Sequence, residues 1–80
     1  MIVEFTKQAV KEFSKLEKIT QKQVALTIRK IESDQVRPQK LTNIQEWKVR
    51  TGDYRIILEV YFEQDKAYIL RIKHRREVYR

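Results

Sequence analysis

The stretch of the sequence that decides the fold is WKVRTGDYRIILEVYF, residues 47–62. Apolar and polar residues alternate through both of its halves, and a period of two is typical of β-strands with one buried face. Gly52, the only glycine of the chain, lies between the halves, where a positive φ suits a tight turn. The stretch therefore predicts an antiparallel hairpin. Its second strand is expected to carry on one face Tyr54, Ile56, Leu58, Val60 and Phe62, and on the other Arg55, Ile57, Glu59 and Tyr61.

A second turn, a third strand and a basic tail follow the hairpin. Residues 63–66 (EQDK) predict the turn and residues 67–73 (AYILRIK) predict the strand. The tail, residues 74–80 (HRREVYR), belongs to a final ten residues that contain five Lys or Arg and one Glu. We therefore expect residues 46–73 to form one three-stranded antiparallel meander.

The first part of the chain predicts a strand and two helices. Residues 2–5 are rich in β-formers, and Thr6 can cap the helix that follows. Residues 20–23 (TQKQ) fit a capping box that would start the second helix. Each helix has apolar residues at three- and four-residue steps, namely Ala9, Val10, Phe13 and Leu16 in the first and Val24, Ile28 and Ile31 in the second.

This order of elements predicts the α+β class, with a helical hairpin covering one face of an antiparallel sheet. The 80 residues are too few for two cores, so we expect one domain, residues 1–80. The core that joins the two layers is expected to contain Phe13, Leu16, Val24, Ile28, Ile31, Ile56, Leu58 and Leu70. Trp47, the only tryptophan, fits this core better than it fits a base-stacking platform.

Composition narrows the function classes. Lys and Arg exceed Asp and Glu by 18 to 11, a net charge of +7, which favours an anionic partner such as nucleic acid, an acidic protein or a membrane surface. The chain has no cysteine, which excludes disulfides and thiolate metal sites. It also shows no signal-peptide pattern and no spanning apolar run, so a cytoplasmic protein is expected.

The residue types exclude most catalytic sites. One histidine, no cysteine and scattered acids make a metal site unexpected, and no glycine-rich loop is present to hold a nucleotide cofactor. RNA cleavage without a metal remains, because the substrate's own 2′-hydroxyl is the nucleophile. That reaction needs proton transfer and positive charge on the phosphorane, which a cluster of Lys, Arg and Tyr can supply.

The candidates for such a cluster are an arginine in an apolar strand and residues of the tail. Each also has a plain structural interpretation. Arg55 could form a salt bridge to Glu59 or Asp53. In the tail, Arg75 and Arg76 could be part of a solvated charged end, and His74 could be an ordinary surface histidine. Tyr79 could simply hold the tail to the domain by apolar contacts.

Four segments together resemble the RelE/ParE superfamily of prokaryotic type II toxins. They are VEF at 3–5, the helix at 9–16, WKVRTGDYRII at 47–57 and HRREVY at 74–79. The resemblance covers essentially the whole chain and implies the same order of elements. It also implies a toxin that a cognate antitoxin holds inactive. In the RelE branch of the superfamily, the activity is ribosome-dependent cleavage of mRNA without a metal.

The resemblance assigns site residues by position. Arg55 would stabilise the phosphate, Lys48 would be an acid/base group or a phosphate contact, and Tyr79 would be the closing tyrosine. One basic residue of the tail, Arg75 or Arg76, completes the catalytic set. Further RNA contacts are expected from Arg50, Lys73, His74 and Arg80.

Three functions remain open at this point. The first is an mRNA-cleaving toxin whose partners are the ribosome, mRNA and an acidic antitoxin. The second is a ParE-like toxin that poisons DNA gyrase by binding, and the third is a basic RNA-binding module without catalysis. The presence of Lys48, Arg55, Arg75, Arg76 and Tyr79 together favours the first.

Overall fold

The structure, a computed structural model, describes residues 1–41 and 46–78. The described chain starts with one strand and two helices and continues with four strands and a short helix. Their bounds are β1 Ile2–Phe5, α1 Lys7–Ser14, α2 Lys18–Glu32, β2 Gln39–Lys40, β3 Trp47–Thr51, β4 Tyr54–Tyr61, β5 Lys66–His74 and α3 Arg75–Val78. Among the described residues, none of the helices combines the length and the hydrophobicity that a bilayer-spanning helix needs.

The strands form a five-stranded sheet in the order β1-β5-β4-β3-β2. The meander β3–β4–β5 is antiparallel, as the alternation predicts, and β1 adds to it in parallel with β5. The N-terminal strand, the two helices and the meander confirm the predicted α+β class. The sequence did not indicate β2, because a strand of two residues carries no alternation to detect.

The β3–β4 hairpin turns as the sequence predicts. Thr51 pairs with Tyr54 across a two-residue turn, and Gly52 has a φ of 57° there. Glycine adopts this left-handed conformation at little cost, whereas other residues are strained in it. The prediction for the far end of β4 is wrong at Phe62, which does not continue the strand. It starts a 3-10 turn, Phe62–Gln64, and is 59 % exposed.

The two helices begin differently. Thr6 caps α1: its Oγ1 accepts a hydrogen bond from Ala9 N at 3.2 Å and donates to Ile69 O at 2.8 Å, which ties the helix start to β5. The predicted capping box at Thr20 is wrong, because α2 already begins at Lys18 with no side-chain cap. Gln21, expected in that box, donates its Nε2 to Phe13 O at 3.0 Å and joins the two helices instead.

The core lies between the helices and one face of the sheet. Its members are Ala9, Val24, Ile28, Ile31, Val49, Ile56, Leu58, Ala67, Ile69 and Ile72, with Phe13 and Leu16 packed against it. The prediction of Leu70 in the core is wrong. The register between β4 and β5 shifts between Ile57 and Leu58, so that Ile69 and Ile72 take the core positions. Trp47 is half-buried, and its ring meets that of Phe62 edge-on at 5.0 Å.

Candidate functional site

Three basic residues from three strands lie side by side on the sheet. The β3–β4 pairing sets Arg50 opposite Arg55, and the β4–β5 pairing sets Arg55 opposite Lys73. The next residues along these strands, Val49, Ile56 and Ile72, belong to the core under the helices. Because side chains alternate along a strand, the three cations lie on the opposite face, which we call the outer face. Arg50, Arg55 and Lys73 are the basic row.

Like charges directly opposite each other destabilise a sheet. In the basic row this unfavourable pairing occurs twice in succession, between Arg50 and Arg55 and between Arg55 and Lys73. An anion bound against the row would remove the repulsion and gain attraction from all of these cations. The row is therefore a concentration of positive charge, of the kind that attracts phosphate or carboxylate groups.

Arg55 is the central residue of the row and is only 8 % exposed, the single charged residue among those that the structure describes as buried. An arginine keeps its proton at all working pH values, and its planar guanidinium matches two oxygens of a phosphate. Water screens a charge less at a buried position than at the surface. Arg55 is therefore a positive charge that water screens less than it screens the exposed Arg50.

Lys48 lies one row further along the outer face, opposite Ile57. It is half-buried and lines a shallow hollow together with Arg50 and Arg37. Sequence reasoning missed Arg37, since the residue falls in the segment before Pro38 that carries no periodicity. Its identity as a basic residue was visible in the sequence, but its position beside Lys48 depends on β2.

The basic tail is partly helical, which the sequence did not indicate. Arg75 and Arg76 are exposed in the one-turn helix α3, and the N–H of Arg75 donates to Asp53 O at 2.7 Å. This bond joins the start of α3 to the β3–β4 turn. Both arginines line a hollow there with Asp53 and His74, so the geometry gives neither preference as the catalytic tail arginine.

His74 is separated from the basic row by the alternation of β5. It pairs with Tyr54, and the two rings meet edge-on with centroids 5.1 Å apart. The N–H of Arg76 donates to His74 Nδ1 at 3.2 Å, which ties the ring to the start of α3. Tyr79 and Arg80 lie outside the described residues, so their assignments remain predictions.

Glu12 of α1 is bound next to the basic row, and sequence reasoning missed it. Its carboxylate accepts hydrogen bonds from Arg71 Nε at 3.0 and 3.1 Å, from Arg71 Nη2 at 2.8 Å and from Ile72 N at 2.8 Å. Burial acts to raise the pKa of Glu12, but the bonds from Arg71 and Ile72 and the charge of Arg71 outweigh it, so the pKa lies below its ordinary value. Glu12 is thus held as a carboxylate.

A second surface lies on the helix side, away from the basic row. Here Val10 is 53 % exposed beside an apolar groove between the helices and β1. The groove is lined by Val3, Phe5, Val10, Phe13, Ala25, Ile28, Arg29 and Glu32. Grooves of this kind on small proteins commonly bind another chain.

Comparison with known proteins gives one family and several solved structures of one fold. A family model described as the ParE toxin of the type II toxin–antitoxin system parDE matches residues 3–79. A comparison with curated protein sequences gave no match.

Among solved structures, the chain is similar to members of RelE–RelB complexes. A chain of the intact E. coli RelBE toxin–antitoxin complex matches with a TM-score of 0.76 and 18 % identity, over 91 % of this chain and 94 % of that one. A chain of the archaeal RelE–RelB complex of Pyrococcus horikoshii OT3 matches with a TM-score of 0.76 and 26 % identity, over 92 % of this chain and 93 % of that one. A chain of the RelB–RelE antitoxin–toxin complex of Methanococcus jannaschii matches with a TM-score of 0.74 and 23 % identity, over 94 % of this chain and 93 % of that one. These matches establish the fold over nearly the whole chain.

Proposed function

Because this chain belongs to the ParE toxin family of type II toxin–antitoxin systems, we propose that it is a ribosome-dependent endoribonuclease that cleaves mRNA and so inhibits translation. The observation that carries the proposal is the basic row with the buried Arg55 at its centre. Cations gathered on one sheet face suit a phosphodiester, whose single negative charge they would neutralise.

The reaction that these residues support is transfer of the phosphate to the substrate's own 2′-hydroxyl. The 2′-oxygen loses its proton and bonds to phosphorus, the bond from phosphorus to the 5′-oxygen breaks, and the leaving 5′-oxygen takes up a proton. The products are a 2′,3′-cyclic phosphate and a 5′-hydroxyl. Lys48 and Tyr79 are the proposed proton-transfer groups, because a side chain that can both hold and release a proton is needed on each side of the phosphate.

The arginines supply charge in this scheme. Arg55 would contact the non-bridging oxygens as the phosphorane gains negative charge, and Arg75 or Arg76 would assist from α3. Loss of one such donor typically lowers a rate by about 10²–10³. A row of cations alone does not hold a flexible RNA in line for attack. The ribosome would supply that alignment, which is why little cleavage of naked RNA is expected.

An acidic antitoxin is the proposed protein partner. Its acidic groups would match the net charge of +7, and the solved relatives named above were crystallised as RelE–RelB complexes. Two surfaces suit such a partner, the basic surface around Arg55 and the apolar groove beside Val10. A complex that covers the basic row would keep the toxin from RNA.

Growth arrest tests the proposed site. Expression of the chain without an antitoxin should stop growth, and Arg55→Ala and Tyr79→Phe should each relieve the arrest while the protein stays folded. Lys22→Ala is the matched control, because Lys22 is an exposed lysine on α2, away from the outer face. Continued arrest with Arg55→Ala would contradict the proposal.

The matching family model is described as a ParE toxin, and the resemblance seen in the sequence implies for that branch a second candidate function, poisoning of DNA gyrase by binding. This function needs no nuclease site. Supercoiling by purified gyrase, measured with and without the protein, separates the two candidates. Inhibition of supercoiling with intact mRNA would favour the gyrase target, and unaffected supercoiling favours the nuclease.

A further inference from the structure

Strand β5 loses one neighbour partway along its length. Its parallel partner β1 ends at Phe5, opposite Ile69, whereas β5 continues to His74. Beyond that point the edge amides of β5 would face away from any strand. Glu12 of α1 takes the place of the missing strand there, since its Oε1 accepts the N–H of Ile72 at 2.8 Å.

The same region contains the irregular step of the β4–β5 pairing. Ile57 pairs with Arg71 but Leu58 pairs with Ile69, so Leu70 is an extra residue. Without this bulge the residues of β5 beyond it would slip by one in their pairing with β4, and a slip of one residue moves every side chain beyond it to the other face. In β5 that slip would turn Lys73 toward the helices and away from the basic row.

The carboxylate of Glu12 binds two successive residues of β5, Arg71 and Ile72, that follow the bulge along the chain. Two nitrogens of the Arg71 side chain and the backbone N–H of Ile72 all donate to it. The Glu12 side chain is 16 % exposed and that of Arg71 is 41 % exposed, so the pair is partly shielded from water. The residue that follows directly is Lys73, which pairs with Arg55.

We propose that Glu12 is a positioning residue that fixes the register of β5 beyond the bulge and thereby keeps Lys73 in the basic row. It touches no substrate itself and acts through Ile72 and Arg71. As far as the row binds RNA, this inference rests on the proposed function. The proposal requires the acidic Glu12 for the binding of an anion. The direct electrostatic effect of the Glu12 carboxylate on that anion is repulsive, so the two effects have opposite signs.

That opposite sign separates positioning from charge. Removing any carboxylate raises the net charge by one and, through long-range attraction alone, strengthens RNA binding. The matched control is Glu4→Gln. Glu4 lies on the neighbouring strand β1 and forms an exposed 3.5 Å ion pair with Lys66. We expect Glu4→Gln to bind RNA as tightly as the original chain or slightly more tightly, and Glu12→Ala to bind it more weakly.

The experiment measures the affinity for a short fluorescein-labelled single-stranded RNA against salt concentration. A lost lysine–phosphate contact lowers the slope of log K against log salt by about 0.7. Lys73→Gln and Glu12→Ala should each show this loss, and the double variant should show no more than either alone. Glu12→Gln keeps an oxygen for the Ile72 amide, so it should retain the fold and give an intermediate loss.

Nuclear magnetic resonance of the same variants reads the register directly. Glu12→Ala should speed hydrogen exchange of the Ile72 amide and remove the cross-strand contact between Arg55 and Lys73, and Glu12→Gln should keep a weakened contact. If Glu12→Ala does not fold, Glu12→Gln carries the same comparison.

An unchanged Arg55–Lys73 contact, or additive losses in the double variant, would overturn the inference. An unchanged slope with Lys73→Gln would contradict RNA binding by the row, and the Arg55–Lys73 contact would then still decide the role of Glu12.

Discussion

At the scale of single residues, Arg55 departs from the pattern around it. The residues that follow it in β4, Ile56, Ile57 and Leu58, are apolar and buried, and Arg55 is buried with them. Burying a charge is costly, so such departures are expected mainly at functional sites. The sequence singled out Arg55 as an arginine in an apolar strand, and the resemblance implied its contact with phosphate; its burial is a finding of the structure. The sequence could not identify Glu12, because an acid on an amphipathic helix has many ordinary uses on a solvated face.

The lowered pKa of Glu12 gives a pH-dependent stability. A carboxyl whose pKa is lower in the folded state than its ordinary value of 4.5 stabilises the fold above that value. This stabilisation is lost as the pH falls through the lower, folded value. We expect the free energy of unfolding to decrease between neutral pH and the acid range, and to decrease less steeply in Glu12→Gln. Urea titrations at several pH values measure this, and equal slopes in the two proteins would contradict it.

At the scale of elements, the basic row exchanges stability for binding. Arg50 and Arg55 are directly opposite each other in the β3–β4 pair. Replacing Arg50 with Gln removes their repulsion, so the free energy of unfolding should rise by about 0.2–1 kcal/mol. The same variant should bind RNA more weakly. Urea denaturation in low phosphate measures the stability, with Lys22→Gln as the control. A less stable Arg50→Gln would show that the row is not strained.

The packing of β4 on the helices gives a second prediction for the elements. Leu58 is fully buried in the core. Leu58→Ala removes apolar contacts and leaves a cavity, so it should lower the free energy of unfolding by about 2–5 kcal/mol. This is a large share of the stability of a small domain. Thermal denaturation compares it with Leu26→Ala, which changes a leucine that is 56 % exposed on α2. Similar melting temperatures for both variants would contradict the core assignment.

The sequence predicted those elements in which apolar and polar residues recur at a regular spacing, and it missed features that do not depend on such a spacing. The alternation in residues 47–61 was long enough to specify the hairpin, its turn at Gly52 and the faces of β4. A bulge interrupts alternation at a place set by tertiary packing, which is why Leu70 was assigned to the wrong environment. The start of α2 was misplaced for a similar reason, because the bond from Gln21 to Phe13 depends on how the two helices meet.

At the scale of the whole molecule, charge governs association. The chain carries a net charge of +7, and the partner that we propose is acidic. Opposite charges speed encounter, so the association rate of toxin and antitoxin should fall steeply as salt is added, while the dissociation rate changes less. Stopped-flow fluorescence at several salt concentrations measures both rates. An association rate that does not depend on salt would show that the apolar groove, and not the basic surface, directs binding.

The central claim is that the basic row acts on mRNA during translation. Primer extension in a translating extract tests it most directly, because each cleavage leaves a new 5′ end that can be mapped. The wild-type protein should produce new ends inside the translated region, and Arg55→Ala should lower their rate of appearance by about 10²–10³. Lys22→Ala should cleave as the wild type does. Intact mRNA at protein concentrations that stop growth, or cleavage that survives Arg55→Ala, would contradict the account.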